Sequence, residues 1–250
     1  MARGVILAGG TGSRMKLLTT VSNKHILPVF DRPMIYHPIQ FLRDSGITDL
    51  LIVLGGNSCG DIINMLGDGA KLGVSITYKF QYLAGGIADA LKLAKDFTRD
   101  EPFVVLLGDN IFESPMLDIP SMLDSLRTRL VPSAMVCTSP TDKPSSFGVP
   151  TFDNNGRIIK VTEKPEFPDS MFAITGLYLY DKHVWSMIDS LKPSNRNELE
   201  ISHINMWYVD NGELNHFAAP GFWHDAGSIM SLMKVSQLIM ERDMKNAAKE

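Results

Sequence analysis

Short apolar segments alternate with stretches of helical periodicity along the first half of the chain. The apolar segments are rich in Val, Ile and Leu, as buried strands are, and the stretches between them repeat apolar positions every three or four residues. This alternation is typical of βαβ units around a mostly parallel sheet. The predicted strands are GVILAGG, DLLIVLGG, VSITYKFQ, PFVVLLGDN and SAMVCTS, and the predicted helices are PMIYHPIQFLRDSG, SCGDIINMLGDG, GGIADALKLAKDF and SMLDSLRTRL.

The second half has a different pattern. TFDNNGRIIKVTEKP predicts a hairpin that turns at Asn154, Asn155 and Gly156, because Asn-Gly pairs favour tight hairpin turns. FAITGLYLYD and LNHFAAPG are predicted strands, DKHVWSMIDSL and ISHINMWYVDNG are predicted helices, and a final helix is expected from about Ser228.

These patterns predict an α/β fold with a Rossmann-like, mostly parallel central sheet flanked by helices, carrying a smaller inserted β/α portion. We expect a single domain over residues 1–250, with halves at about 1–110 and 111–228 and a C-terminal helix over 229–250. Ligands of open α/β sheets bind at the carboxyl ends of the strands, so residues directly after the strands are the candidates for function.

Composition narrows the class of partner. The chain has 250 residues and a formal net charge of -4, so a broad basic surface for nucleic acid is not expected. Its two cysteines, Cys59 and Cys137, are too few for a disulfide framework or a zinc site. No signal peptide and no apolar run of the roughly 20 residues that a membrane helix needs is visible, so we expect a cytoplasmic protein without membrane contact.

The first strand ends in a glycine-rich turn, GGTGSR, followed by Lys24 ten positions after Arg14. Glycines let backbone amides approach an anion, and the two cations could neutralise phosphate oxygens. The turn is neither a Walker A motif, since no Gly-Lys-Ser/Thr closes it, nor the GxGxxG dinucleotide fingerprint, which argues against an NAD-dependent oxidoreductase. A phosphate cradle and a plain structural turn both remain open on this evidence.

Two carboxylates follow strand-like segments. Asp109 comes directly after VVLLG, and Asp225 lies in FWHDAGS. Together they could hold Mg²⁺, because that ion is commonly bound by few protein carboxylates plus phosphate and water. The alternative for Asp109 is a helix cap or an Asx turn. The pair Glu163 and Lys164 in VTEKP is compatible with a sugar and phosphate contact, or with a solvated strand edge.

In this order along the chain, the motifs resemble the glucose-1-phosphate thymidylyltransferases, a family of nucleotide-sugar pyrophosphorylases. The resemblance extends from Gly4 to about Leu238, as expected for the short form of the family. It is carried by LAGGTGSR, NKHILPVFDRPMIYHPI, LGDGAKLGVSITYKFQ, GGIADAL, LGDNIF, FGVPTFD, EKP, FAITGLYLYD, LKPSNRNELEISHIN and FWHDAGS.

This resemblance implies the nucleotide-diphospho-sugar transferase fold and a Mg²⁺-dependent reaction of dTTP with glucose 1-phosphate. The products would be dTDP-glucose and pyrophosphate, for deoxysugar and polysaccharide biosynthesis. The catalytic residues that it implies are Arg14, Lys24, Asp109, Lys164 and Asp225, of which Asp109 and Asp225 bind the metal.

The resemblance also implies a binding role for further residues. The nucleotide site would comprise Ala8, Gly9, Gly10, Thr11, Gly12, Ser13, Arg14, Lys24, Gln81, Gly86 and Asp109. The sugar-phosphate site would comprise Asn110, Gly148, Glu163, Lys164 and Ile174.

The chain departs from the family pattern at Met15–Leu17, at His25, at Asp89, where the family often has glutamine, and at His203.

Two alternatives to this function remain. The chain could catalyse the same chemistry with UTP or another sugar 1-phosphate, or it could be a non-catalytic nucleotide-sugar sensor. A homo-oligomer is expected, because the final helix has an apolar face formed by Ile229, Leu232, Met233, Leu238 and Ile239. Packing of this face on its own domain would explain it equally well.

Overall fold

A computed structural model describes residues 2–10, 12–20, 22–113 and 117–247. The strands are β1 (Arg3–Ala8), β2 (Pro28–Val29), β3 (Arg32–Pro33), β4 (Asp49–Gly55), β5 (Ser75–Gln81), β6 (Phe103–Leu107), β7 (Asn110–Phe112), β8 (Ser133–Pro140), β9 (Gly148–Phe152), β10 (Ile158–Glu163), β11 (Phe172–Tyr180), β12 (Glu213–Ala218) and β13 (Trp223–Asp225).

The helices are α1 (Tyr36–Asp44), α2 (Cys59–Leu66), α3 (Ile87–Lys92), α4 (Lys95–Thr98), α5 (Ile119–Arg127), α6 (Val184–Ser190), α7 (Ile201–Asn211) and α8 (Ile229–Ala247). Short 3₁₀ helices span Ser13–Thr19, Lys24–Ile26, Ala70–Leu72 and Pro144–Ser146. No helix in the described part of the chain is both long enough and apolar enough to cross a bilayer.

Within the described residues, nine strands form one sheet, in the order β10-β9-β11-β6-β1-β4-β5, with β8 paired to both β11 and β12. β1 is parallel to β4 and β6, and β5 is parallel to β4. β11 is antiparallel to β6, β8 and β9, and β10 is antiparallel to β9. Since β12 is parallel to β8, only β10 and β11 oppose the common strand direction, which confirms a mostly parallel sheet.

Both faces of the sheet are covered, which explains why the central strands are continuous apolar runs rather than alternating ones. Neighbouring residues of β1 point to opposite faces. Val5 and Leu7 belong to one buried cluster with helices α3, α6 and α7, and Ile6 and Ala8 belong to a second cluster with α1, α2 and α5.

Some apolar residues of the final helix, α8, pack against the rest of the domain, and others are exposed at the surface. Val235 and Ile239 are fully buried against a third cluster that contains Met15. Met230 and Met233 are exposed on the same helix. The subunit contact expected from this face stays a prediction.

Several local predictions need correction. The stretch GGIADALKLAKDF forms two helices, α3 and α4, because the amides of Leu93 and Ala94 bond three residues back, to Ala90 and Leu91, in 3₁₀ fashion. The predicted strand PFVVLLGDN ends at Leu107, and a separate strand, β7, begins at Asn110. The hairpin is confirmed as β9 and β10, with Gly156 at a φ of 77°.

Candidate active site

A cleft of about 310 Å³ opens at the carboxyl ends of β1, β5 and β6. One wall is formed by the glycine turn after β1, by Lys24 and by Asp109. The opposite wall carries charged side chains from the second half of the chain, namely Glu163, Lys164, Arg196, Glu198 and Glu200. The cleft therefore lies where the sheet topology predicts a ligand site, between two walls that both carry cations.

The glycine turn adopts a conformation that depends on the absence of side chains. A Cβ on Gly9 would lie 2.5 Å from Gln81 Oε1, and one on Gly10 would lie 3.2 Å from Lys24 Nζ. Gly12 has a φ of 70°, in the left-handed region that favours glycine. Ser13 begins the following 3₁₀ helix, and Ala8 ends β1. Thr11 lies outside the described residues.

Lys24 and Asp109 form a nearly buried ion pair, in which Nζ lies 2.5 Å from Oδ2. Lys24 is positioned by Asn23, whose Oδ1 accepts hydrogen bonds from the His25 amide and lies 2.8 Å from His25 Nδ1. The Asn23 amide in turn donates to the carbonyls of Gly55 and Asn57. The segment before Lys24 is therefore tied to the end of β4.

His25, one of the departures from the family pattern, packs against the backbone beneath the cleft. A Cβ on Gly108 would lie 2.9 Å from the imidazole ring, so glycine is required there. Burial and the charge of Lys24 lower the pKa of His25 to about 3, although Asp109 opposes the shift. At neutral pH the imidazole is uncharged.

The electrostatics of Asp109 are dominated by its cationic neighbour. Burial by itself would raise the pKa of this carboxyl, but the Lys24 ammonium, the neighbouring His25 and the hydrogen bonds from Lys24 and Asn110 outweigh burial. The pKa is held well below its usual range, so Asp109 is a permanent anion at neutral pH.

Asp225 lies beside Asp109 because β13 pairs with β7. The register places Asp225 opposite Asn110, and the amide of Ala226 donates to the Asp109 carbonyl at 2.8 Å. Burial and the negative charge of Asp109 raise the pKa of Asp225, while Arg14 and Lys24 act in the opposite direction. Arg14 Nη2 lies 3.3 Å from Asp225 Oδ2, and the Arg14 side chain is 61% exposed.

Asn110 is a structural clamp for this arrangement. Its Oδ1 accepts hydrogen bonds from the Gly176 amide at 2.9 Å and from Trp223 Nε1 at 2.6 Å. Its Nδ2 donates to Asp109 Oδ1 at 3.1 Å. The side chain thus joins β7, β11 and β13 and fixes the second carboxylate oxygen of Asp109. The sugar-phosphate contact expected of Asn110 stays a prediction.

The expected sugar-phosphate residues of the second half are brought together by strand pairing. Glu163 lies opposite Gly148 in the β9–β10 ladder, and Ile174 lies opposite Gly148 in the β9–β11 ladder. Lys164 follows β10 with a φ of 42°, an unusual conformation for a lysine, and its amide donates to the Phe147 carbonyl. Such backbone strain is concentrated at functional sites.

Arg196 is a cleft residue that the sequence analysis missed. Its guanidinium lies 2.7 Å from Glu200 Oε2 and 3.1 Å from Glu163 Oε1. Glu200 is almost fully buried, and Ser194 Oγ also donates to it. The i,i+4 spacing of Arg196 and Glu200 in RNELE was the available signal, but that spacing is equally common on solvated surfaces.

Gln81 and Gly86 also line the cleft, and Gly86 lies against Glu198 and Leu199 of the second half of the chain. Gln81 ends β5, and Gly86 precedes α3 with a φ of 99°. A Cβ on Gly86 would lie 2.6 Å from the Leu199 carbonyl, so any side chain there would displace the backbone before α7. The Gln81 amide donates to Asp89 Oδ2 at 2.9 Å and to the Gly86 carbonyl at 3.3 Å.

Residues 3–242 match the profile of the nucleotidyl transferase family. A glucose-1-phosphate thymidylyltransferase of Xanthomonas campestris is 38% identical over 97% of this chain and 82% of its own length. The enzyme of that name from Neisseria meningitidis is 36% identical over 95% of this chain and 82% of its own length.

Solved structures with the same fold are found as well. A Bacillus anthracis protein assigned as a glucose-1-phosphate thymidylyltransferase, in complex with sucrose, superposes with a TM-score of 0.87 at 45% identity, covering 95% of each chain. A UDP-glucose pyrophosphorylase bound to UDP-glucose superposes with a TM-score of 0.82 at 20% identity, covering 97% of this chain and 99% of that one. The second likeness supports the fold alone.

Proposed function

Because this chain belongs to the nucleotidyl transferase family, we propose that it transfers a thymidylyl group from dTTP to glucose 1-phosphate, forming dTDP-glucose and pyrophosphate. The observation that carries this proposal is a single cleft between Lys24 with the glycine turn on one wall and Lys164 with Arg196 on the other. Such a cleft suits a reaction that must bring two anions together.

The reaction needs positioning more than proton transfer. The attacking group is a phosphate oxygen that is already anionic, and it displaces pyrophosphate from the α-phosphorus in line. Effective alignment of two reactants contributes up to about 7–11 kcal/mol in ideal cases. The remaining barrier is repulsion between two anions, which preorganised cations reduce.

Nucleotide binding is assigned to the wall formed by the first half of the chain. The glycine turn offers backbone amides for the triphosphate, and Lys24 and Arg14 offer positive charge beside it. Lys24 is already held in place by Asp109 and, through the backbone, by Asn23. Little reorganisation is therefore needed when the triphosphate arrives, which is the condition for effective charge stabilisation.

Sugar phosphate binding is assigned to the opposite wall. Glu163 can accept hydrogen bonds from sugar hydroxyls, and Lys164 and Arg196 supply charge for the phosphate. Lys164 Nζ lies 3.4 Å from Glu163 Oε1, and Arg196 bonds the same oxygen. Glu163 thus holds both cations at the cleft until an anionic substrate competes for them.

Magnesium is the cofactor that we propose for Asp109 and Asp225. No cluster of three or more His, Cys, Asp or Glu side chains suited to a metal occurs among the described residues. A carboxylate pair nevertheless fits magnesium, which is commonly held by one or two protein carboxylates plus phosphate oxygens. The pKa of Asp225 is raised partly by Asp109, so a cation here would relieve a real repulsion. When bound, the ion would supply charge stabilisation for the phosphates.

The test is pyrophosphate release by the purified chain with glucose 1-phosphate, magnesium and each nucleoside triphosphate in turn. We expect release with dTTP and loss of release after chelation with EDTA. A higher rate with UTP would correct the nucleotide, and a higher rate with another sugar 1-phosphate would correct the acceptor. No release by the folded protein with any combination would refute the transferase assignment and favour a nucleotide-sugar sensor. The cytoplasmic location stays a prediction.

A further inference from the structure

The Gln81 side chain uses both of its amide hydrogens inside the protein. Nε2 donates to Asp89 Oδ2 at 2.9 Å and to the Gly86 carbonyl at 3.3 Å. A carboxylate and a carbonyl accept hydrogen bonds and do not donate them, so the group that faces both of them must be the NH₂ end of the amide. Asp89 and Gly86 therefore determine which way the Gln81 amide is turned.

The other end of the amide lies beside Gly9, and both residues line the cleft. Gln81 Oε1 lies next to the glycine turn, because a Cβ on Gly9 would lie only 2.5 Å from this oxygen. Among the described residues, no donor bonds to this oxygen, whereas Nε2 has two acceptors. Within the part of the chain that the structure describes, Gln81 Oε1 is thus an acceptor that no protein donor occupies, on a residue that lines the cleft.

Asp89 is itself held in position for this contact. It lies in the first turn of α3, and its carboxylate folds back over Gly85, where a Cβ would lie 2.7 Å from Oδ2. A carboxylate in the first turn also interacts favourably with the helix dipole, which would be its whole role if it did not reach Gln81. The 2.9 Å contact with Nε2 is what distinguishes the two roles.

We propose that Asp89 is a positioning residue that fixes the orientation of the Gln81 amide, so that the Gln81 side chain offers the nucleobase only an acceptor. Thymine and uracil present an imide N–H that pairs with this acceptor, whereas cytosine presents a lone pair at the same ring position. Asp89 therefore selects imide bases over cytosine without touching the base. This inference rests on the proposed function in taking the ligand group beside Gln81 as a nucleobase.

The test is the ratio of dissociation constants for dCTP and dTTP, measured by isothermal titration calorimetry on the full chain. In Asp89→Ala the amide loses its shorter contact and is held only by the 3.3 Å contact with the Gly86 carbonyl. It can then turn and offer Nε2 to cytosine, so we expect the ratio to fall about tenfold, equivalent to about 1.4 kcal/mol. Asp89→Leu, which also lacks an acceptor, should behave alike and serves if the alanine variant does not fold. Asp89→Asn retains an acceptor and should restore most of the wild-type ratio.

The matched control is Asp96→Ala, which removes an exposed carboxylate on α4 whose contact is with Lys79 at the surface. Its ratio should equal that of the wild type. An unchanged ratio in folded Asp89→Ala and Asp89→Leu would overturn the inference, and so would wild-type protein that binds both nucleotides equally.

Pyrophosphate release by the same preparations separates this inference from the proposed function. If the ratio responds to Asp89 but no variant releases pyrophosphate, the inference stands and the transferase assignment fails. If wild type releases pyrophosphate and the ratio does not respond, the transferase assignment stands and the inference fails. Binding of neither nucleotide would overturn both.

Discussion

The ammonium of Lys24 lies 2.5 Å from the carboxylate of Asp109, although 85 positions separate the two residues along the chain. Both side chains are almost fully buried at the edge of the cleft. A buried ion pair is costly to break from one side, because the remaining charge is left without a partner in a medium of low polarity. This pair therefore links the stability of the fold to the chemistry of the site.

Replacing Asp109 by Asn should affect both folding and turnover. The change leaves the Lys24 ammonium buried without its counter-charge, and we expect a loss of about 3–5 kcal/mol in the free energy of unfolding. Turnover should fall at least about 10²-fold, because a proposed metal ligand is lost. Urea unfolding and pyrophosphate release measure the two effects. An active variant with wild-type stability would contradict both the pairing and the metal assignment.

Replacing Arg14 by Ala should separate the two effects. In its ion pair with Asp225 the Arg14 side chain is 61% exposed, whereas Asp225 is mostly buried. Because solvent screens the arginine and such pairs contribute about 0–1 kcal/mol, the unfolding free energy should change by no more than about this amount. We expect turnover to fall about 10²-fold, because positive charge beside the triphosphate is lost. Arg157→Ala, at the exposed β9–β10 turn, is the matched control and should retain full activity. Equal turnover in the two variants would remove Arg14 from the site.

Replacing Lys164 by Ala should weaken the sugar phosphate side selectively. We expect the KM for glucose 1-phosphate to rise about tenfold or more, while the KM for dTTP changes little, because Lys24 and Arg14, the cations proposed for the triphosphate, are untouched. Initial rates with each substrate varied in turn provide the measurement. Lys160→Ala, within β10 just before Lys164 but paired with Asp169 at the surface, should leave both constants unchanged. A rise confined to dTTP would reverse the assignment of the two walls.

Replacing Asn110 by Ala should destabilise the protein through its buried partners. The Gly176 amide and Trp223 Nε1 both lose their acceptor, and each unsatisfied buried donor costs about 1–3 kcal/mol. Turnover should also fall, because Asp109 Oδ1 no longer accepts a hydrogen bond from the Asn110 amide. The loss of stability is measured by urea unfolding of Asn110→Ala and of a control variant, Asn215→Ala, which changes an exposed residue on β12. A change no larger than that of the control would show that Asn110 is not a clamp.

Stability should decrease as the pH falls below neutral. Burial lowers the pKa of His37 to about 4 from 6.5, so the unfolded chain binds a proton that the folded chain refuses. The contribution of this imidazole to the free energy of unfolding is fully present above pH 6.5 and is lost as the pH falls toward about 4. His37→Gln should reduce the slope of unfolding free energy against pH in this window by up to about 1.4 kcal/mol per pH unit. Equal slopes in the wild type and in His37→Gln would contradict this origin.

The sequence alone determined the longer strands of the first half, namely β1, β4, β5, β6 and β8, and the edge at which the ligand site lies. Their apolar runs and the helical periods between them are local patterns, and parallel strands necessarily present their carboxyl ends on one edge. The glycine turn, Asp109 and Lys164 could therefore be identified as candidates from their places at strand ends. Sequence motifs also identified the family, because ten motifs of that family occur along the chain in the expected order.

Tertiary structure decided which of these candidates meet. Asp225 lies beside Asp109 only because β13 pairs with β7, and the Trp223 to Asn110 hydrogen bond that secures this pairing spans 113 positions. The clamp role of Asn110, the place of Arg196 in the cleft and the burial of His25 likewise depend on distant partners. Strand register and side-chain burial are set by packing of the whole chain, so no local pattern specifies them.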